Sequence, residues 1–167
     1  NAFRDDTKGY SGIIPEGWRF RPNFALDATT AIYPTDAFFS PDDVNGIQAS
    51  ITMVCNRPAA GATLETVRAD FNQFLSNFAV SDIQTEDITV AGTPAAAFTY
   101  AQELRGQSSG EETPVVTAVQ KRDVTFLNGE CRWLISLLTP PDMLDELLPT
   151  FQAFLDALAF QSATPAT

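Results

Sequence analysis

The period of the apolar residues changes between two and about 3.6 along this chain, and this change constrains the fold more than any other feature. Alternating apolar residues from Ile47 to Cys55 predict a strand with one buried face. Similar strand patterns, most of them bounded by turn residues, cover Gly9 to Phe20, Thr29 to Tyr33, Ile83 to Val90, Ala95 to Tyr100, Val115 to Phe126 and Cys131 to Thr139. Most of the chain is therefore expected to form a sheet.

Helical spacing replaces this alternation in two segments. Leu64 to Phe78 carries an apolar stripe that follows Thr63, a suitable N-cap. A second stripe runs from Asp142 to Phe160, and Pro149 predicts a kink or a restart within it. The order of elements indicates an α+β fold, with helices packed on an antiparallel sheet.

The segment from Pro34 to Gly46 combines two prolines with three aspartates, which favour a loop. It also holds Phe38 and Phe39, which cannot both point inward from an extended segment. We therefore expect a partner-binding surface here, formed by Phe38, Phe39, Asp42 and Asp43. The alternative is that one or both phenylalanines fold back into the core.

Charge narrows the range of partners. Ten basic and 21 acidic residues give a formal net charge of −11, which repels nucleic acids and anionic lipids. Self-repulsion of this size predicts a soluble monomer. A salty habitat is a second explanation for the acidity.

The two cysteines, Cys55 and Cys131, belong to no CxxC pair, and the chain has no histidine with which to complete a zinc site. Cys55 ends one predicted strand and Cys131 begins another, so antiparallel neighbours would bring them together. A disulfide indicates an oxidising, extracytoplasmic compartment. Two buried free thiols in a reducing compartment are the alternative.

One domain, from residue 3 to residue 161, accounts for the whole pattern. Asn1 and Ala2 resemble the remnant of a cleaved expression tag, and an export signal upstream would have been removed with it. Residues 162–167 are small and polar, and we expect a flexible tail.

Several local strings resemble the PsbP-like superfamily, which includes PsbP, Mog and LpqN-type bacterial lipoprotein domains. The resemblance covers almost the whole chain and is carried by GYSGIIPEGWRF at Gly9 to Phe20, the helix from Leu64, VAGTPAAAFTY at Val90 to Tyr100, and WLISLLTPP at Trp133 to Pro141. It implies an α/β/α sandwich whose central antiparallel sheet has about six to eight strands. It also implies a secreted or lipid-anchored protein that binds proteins or small apolar molecules without catalysis, and it transfers no functional residue.

Residues for catalysis are scarce. Without histidine, a serine nucleophile lacks its usual base, and the GxSxG, GxGxxG and GxxxxGK[ST] patterns do not occur. Asp36, Asp42, Asp43 and Asn45 do not follow the calcium-loop spacing, so we expect no metal and no cofactor. Adjacent acids such as Glu111 and Glu112 are better explained as solvated loop residues.

These observations predict a non-catalytic extracytoplasmic module that docks a protein partner and meets a membrane through a lipid anchor outside this sequence. A carrier of a small apolar ligand or lipid is the alternative, and a hydrolase of unfamiliar design is the third possibility. A large apolar pocket between a helix and the sheet would favour the carrier.

Overall fold

The computed structural model describes residues 1–25, 30–106 and 115–161. Two helices and ten strands make up this part of the chain. The helices are α1 (Leu64–Leu75) and α2 (Leu144–Asp156). The strands are β1 (Ala2–Asp5), β2 (Tyr10–Ile13), β3 (Arg19–Ala25), β4 (Thr35–Val44), β5 (Ile47–Asn56), β6 (Val80–Val90), β7 (Thr93–Gly106), β8 (Val115–Asn128), β9 (Cys131–Thr139) and β10 (Ala159–Phe160).

Seven strands form one antiparallel sheet in the order β3-β4-β5-β9-β8-β7-β6. The helices lie on opposite faces, since α1 contacts Phe98 and α2 contacts Phe38, and the register places these two residues on different faces. This confirms the predicted α+β sandwich. A second, three-stranded sheet of order β1-β2-β10 was not predicted.

The larger core lies between α2, the small sheet and one face of the large sheet. Phe38 packs against Phe154 of α2 with ring centroids 4.9 Å apart, and Tyr10 of β2 packs against Trp133 at 5.4 Å. The smaller core lies under α1, where Leu75 joins Phe98 and its neighbours on β7. The two cores differ in extent because α1 lies mainly over β7 and β8 on its face of the sheet.

The segment from Pro34 to Gly46 was predicted as a loop, and that prediction is wrong. Most of it is β4, which joins β5 through a two-residue turn at Asn45 and Gly46, with φ values of 54° and 79°. Asparagine and glycine tolerate this left-handed backbone best. The register shifts between Phe39 and Asp43, so Pro41 falls in an irregular stretch where the ladder needs no N–H donor from it.

Because this segment is a strand and not a loop, the prediction of Phe38 as an exposed anchor is corrected. Its side chain is 0% exposed and stacks on Phe20 at 4.7 Å, so the alternative of a core residue is confirmed for Phe38. Phe39 points to the opposite face and is half-buried, while Asp42 and Asp43 are exposed. Partner binding by these three residues stays a prediction.

The helix predictions hold with shorter limits. Thr63 caps α1 as expected, because its hydroxyl accepts a hydrogen bond from the Thr66 N–H and the Thr66 hydroxyl accepts one from the Thr63 N–H. Helix α2 continues through Pro149, so the helix does not restart there. No helix within the described ranges is long and apolar enough to cross a membrane.

Three other predictions concern the ends of the chain and the segment at Thr29 to Tyr33. The strand expected at Thr29 to Tyr33 reduces to a bridge between Ala31 and Asn56, and Thr29 lies outside the described residues. The tail at 162–167 also lies outside them. Ala2, assigned to a tag remnant, begins β1 and pairs with Ile13.

Candidate ligand-binding groove

A groove of about 500 Å³ lies between α1 and the part of the sheet that α1 leaves uncovered. Its floor consists of side chains from β4, β5, β8 and β9, and α1 supplies one wall. The lining residues are Thr30, Thr35, Thr52, Val54, Asn56, Val67, Asp70, Phe71, Phe74, Thr125, Arg132 and Leu134.

Strand register sets the floor of the groove. Val54 of β5 pairs with Leu134 of β9, which in turn pairs with Thr125 of β8, so the three side chains form one row across the sheet. The next row toward the end of the sheet contains the paired residues Asn56 and Arg132. The floor is thus apolar in its middle and polar at this end.

The helical wall follows from the spacing of the α1 side chains. Val67 is buried, and Phe71 packs against Phe98 of β7 at 4.7 Å, which fixes the helix over β7. Phe74, one turn further along, is 51% exposed at the rim. The offset of α1 toward β7 leaves the neighbouring strands open.

Arg132 and Asp70 are the charged residues among those that line the groove. Arg132 makes no ion pair with any residue in the described ranges. Its guanidinium can bind an anionic or hydroxyl-rich group, because it offers five N–H donors in a fixed plane. The groove therefore suits an amphiphile that has an apolar body and a polar head.

A buried acid, Asp123, lies next to the groove floor on the same face of β8. Asp123 precedes Thr125 by two residues on β8, and its Oδ2 accepts a hydrogen bond from the Tyr100 hydroxyl. Burial and the Asp123 charge raise the pKa of Tyr100, so this phenol stays protonated. The other carboxylate oxygen of Asp123, Oδ1, has no hydrogen-bond partner in the described part of the chain.

Comparisons with known proteins support the architecture. No family model and no curated protein sequence matches this chain. Cyanobacterial PsbP (CyanoP) from Synechocystis superposes with a TM-score of 0.59 at 16% identity, covering 96% of this chain and 91% of CyanoP. The chain has a PsbP-like fold.

Two other solved structures have folds similar to that of this chain. LpqN, which is involved in cell envelope biogenesis of Mycobacterium tuberculosis, gives a TM-score of 0.58 at 12% identity, covering 92% of this chain and 83% of LpqN. PA94 of Pseudomonas aeruginosa, a protein of unknown function, gives 0.58 at 15% identity, covering 100% of this chain and 97% of PA94. At these identities the likeness concerns the fold.

The predicted disulfide is present in this chain. Cys55 and Cys131 are bonded, with their Cα atoms 5.1 Å apart. Both are buried at the ends of the neighbouring strands β5 and β9. The pairing is confirmed because the antiparallel register places both side chains on the α2 face.

A second buried polar cluster joins the small sheet to the large one. The Asp36 carboxylate is 0% exposed and accepts hydrogen bonds from Lys8 Nζ, the Tyr10 hydroxyl and the Asn23 N–H. Burial, followed by the Asp36 hydrogen bond, raises the pKa of Tyr10. Every oxygen of this carboxylate is paired inside the core, so the cluster is structural.

Sequence reasoning missed both this cluster and the groove. Asp36, one of the acids that do not follow the calcium-loop spacing, lies in the core, while Asp42 and Asp43 are exposed. Asp43 instead accepts a hydrogen bond from the Gly46 N–H at 2.8 Å and stabilises the turn. Within the described ranges, no group of three or more histidine, cysteine or acidic side chains is arranged for a metal ion.

An aromatic surface near the β3 edge contains Phe39, the remaining aromatic residue of the predicted docking site. Phe24 packs against Phe39 at 5.1 Å and is 49% exposed. The Arg21 guanidinium carbon lies 5.8 Å from the Phe39 ring centroid. The sequence pattern around Phe24 gave no separate sign of this surface.

Proposed function

We propose that this domain is a non-catalytic extracytoplasmic binding module whose groove holds a small amphiphile. The observation that carries this proposal is the groove of about 500 Å³ between α1 and the sheet. A cavity of this size is within the range of small-molecule sites, which are mostly apolar with a few placed polar groups. The apolar part of the ligand lies over Val54 and Leu134, and its polar head contacts Arg132.

Two observations support a location outside the cytoplasm. The Cys55–Cys131 bond is of a kind that persists in oxidising compartments. LpqN, one of the structures with the same fold, is involved in cell envelope biogenesis. The chain is thus proposed to work as a secreted or envelope-attached protein.

The side chains in the groove support binding without catalysis. The side chains on the groove floor that could act as nucleophiles are threonines, and a threonine hydroxyl needs a neighbouring base before it can attack a substrate. The sequence contains no histidine, the commonest such base, and the carboxylate among the groove residues, Asp70, lies on the α1 wall and not on the floor with the threonines. The groove can therefore hold and orient a ligand, and the proposal assigns it no bond cleavage.

The proposal is tested with 1-N-phenylnaphthylamine, a neutral apolar dye, and with a dansylated fatty acid. We expect both probes to bind, and the Val54→Trp variant to lose affinity because the indole fills the groove. Arg132→Gln should lower the affinity for the fatty acid more than the affinity for the neutral dye, since this substitution removes the positive charge alone. Val116→Trp, at an exposed position outside the groove, is the matched control.

Two results would reject the ligand proposal. One is wild-type protein that binds neither probe. The other is a folded Val54→Trp variant, verified by circular dichroism, that binds both probes as tightly as the wild type.

Docking of a protein partner is the second candidate function, and the contact between the exposed Phe24 and the half-buried Phe39 favours it. Arg21 and the exposed Asp42 and Asp43 would add polar contacts around this aromatic pair. The test compares affinity capture from the native envelope by wild-type protein and by a Phe24→Ser/Phe39→Ser variant. A partner captured equally by both proteins excludes this surface.

A further inference from the structure

Two exposed phenylalanines extend the groove toward solvent. Phe71 and Phe74 line the groove, with ring centroids 5.8 Å apart, and Phe74 lies 4.8 Å from Phe78. Phe74 is 51% exposed and Phe78 is 44% exposed. The three rings form a continuous aromatic path from the α1 wall of the groove to the surface, and we call Phe74 and Phe78 the aromatic rim.

The segment that carries the aromatic rim is uncharged. Residues 71–81, FNQFLSNFAVS, contain no acidic or basic side chain, although the whole protein has a net charge of −11. The exposed polar neighbours of the rim include Asn72, Gln73 and Asn77, which are neutral. These residues can approach an apolar medium without desolvating a charge of their own, and the nearest acid along α1 is Asp70, one helical turn before Phe74 in the groove lining.

We propose that the aromatic rim docks on a neutral, zwitterionic lipid surface and that the amphiphile passes there between the bilayer and the groove. This inference depends on the proposed groove function for the transfer step. Aromatic rings are favoured at the level of the lipid headgroups, where they bury apolar area and remain partly hydrated. The acidic remainder of the protein would be repelled by anionic lipids, so the neutral surface selects neutral headgroups.

The geometry connects docking with access to the ligand. Phe74 belongs both to the groove lining and to the aromatic rim, so a bilayer in contact with the rim reaches the mouth of the groove. An acyl chain could then leave the bilayer along Phe74 and Phe71 with little exposure to water. Exposing an acyl chain to water costs free energy in proportion to its apolar area, and this route reduces that exposure.

The test is co-sedimentation with large vesicles of phosphatidylcholine. We expect the wild type to bind, and Phe78→Ser to partition about tenfold less, since one side chain loses its burial in the interface. Asn77→Asp, which adds a charge beside the rim, should also weaken binding. Phe24→Ser is the matched control, because Phe24 is 49% exposed but lies on β3, and it should bind like the wild type.

Replacing half of the phosphatidylcholine with phosphatidylglycerol should reduce wild-type binding at low salt. Stronger binding to the anionic vesicles overturns the inference, as does wild-type protein that stays in the supernatant. Equal binding by wild type, Phe78→Ser and Asn77→Asp also overturns it, and would leave a protein partner as the occupant of the rim.

A separate measurement distinguishes failure of docking from failure of the groove proposal. Phenylnaphthylamine binding is measured without vesicles, and Phe78→Ser should retain wild-type affinity because Phe78 does not line the groove. Dye binding without vesicle binding therefore rejects the membrane inference alone. Vesicle binding without dye binding rejects the groove proposal and, with it, the transfer step.

Discussion

At the scale of single residues, one buried carboxylate, Asp36, helps to hold the two sheets together. Asp36 accepts hydrogen bonds from three donors and has no exposure to water, so those donors replace its hydration. Lys8 is nearly as deeply buried, and its Nζ also lies 3.5 Å from Asp5 Oδ2. Charges in such places are tolerated only as a set.

We predict that Asp36→Asn lowers the free energy of unfolding by about 3 to 5 kcal/mol, because Lys8 is left buried without its main counter-charge. Lys8→Met should cost a similar amount. The double variant should lose less than the sum, since neither charge then remains alone. Urea unfolding measures all three, and a loss below about 1 kcal/mol for Asp36→Asn, typical of exposed pairs, would contradict the prediction.

The buried tyrosines predict the alkaline limit of stability. Burial first, and then the neighbouring aspartates, raise the pKa of Tyr10 and of Tyr100 above the usual value of about 10. Above that pH the unfolded chain loses protons that the folded chain keeps. The stabilisation is complete below pH 10 and falls at higher pH by about 1.4 kcal/mol per unit for each tyrosine.

Absorbance of tyrosinate during an alkaline titration checks this expectation. The half-buried Tyr33, whose pKa is raised by its hydrogen bond to Glu130, should ionise in the folded protein. Tyr10 and Tyr100 should ionise together with the loss of circular dichroism. Ionisation of all three tyrosines before unfolding would show that the two buried hydroxyls are open to solvent.

At the scale of elements, the disulfide fixes two central strands to each other. It encloses a sequence separation of 76 residues, and loop-closure entropy for that length gives about 4 kcal/mol. We predict that reduction lowers the free energy of unfolding by about this amount, as measured by urea unfolding with and without reductant. The Cys55→Ala/Cys131→Ala variant should be insensitive to reductant, and a large response in that variant would point to another cause.

Local sequence signals explain why most elements could be predicted. Alternation in β5 and the cap at Thr63 are local patterns that tertiary contacts reinforce. β4 was missed because residues Thr35 to Phe38 are all buried and show no alternation. The Asn45–Gly46 turn was the available signal for that hairpin, and the prolines and aspartates around it obscured it.

The groove could not be predicted in the same way. Val54 and Leu134 lie on the face opposite to the main core, where the pattern around them includes Thr52 and Arg132. Whether that face is covered depends on where α1 docks, and the contact of Phe71 with Phe98 decides this over a long sequence separation. A local period indicates which side of a helix is buried, but not which strands it covers.

At the scale of the whole molecule, net charge controls association. The formal charge of −11 falls toward zero near the sequence pI of about 4.2. We predict a monomer by size-exclusion chromatography at neutral pH and aggregation near pH 4, as self-repulsion fades. Light scattering across this range is the measurement, and equal solubility at the pI would show that charge does not keep the molecules apart.

The position of the disulfide has a further consequence for the fate of a cleaved molecule. All of α1 and β6 to β8 lies between the two cysteines, while β1 to β4 and α2 lie outside. A protease that cuts the chain once between residues 56 and 130 therefore produces two fragments that stay covalently joined across β5 and β9. Such a nicked protein keeps the mass of the intact one and, with its central strands still paired, remains a single particle until a reductant reaches the bond.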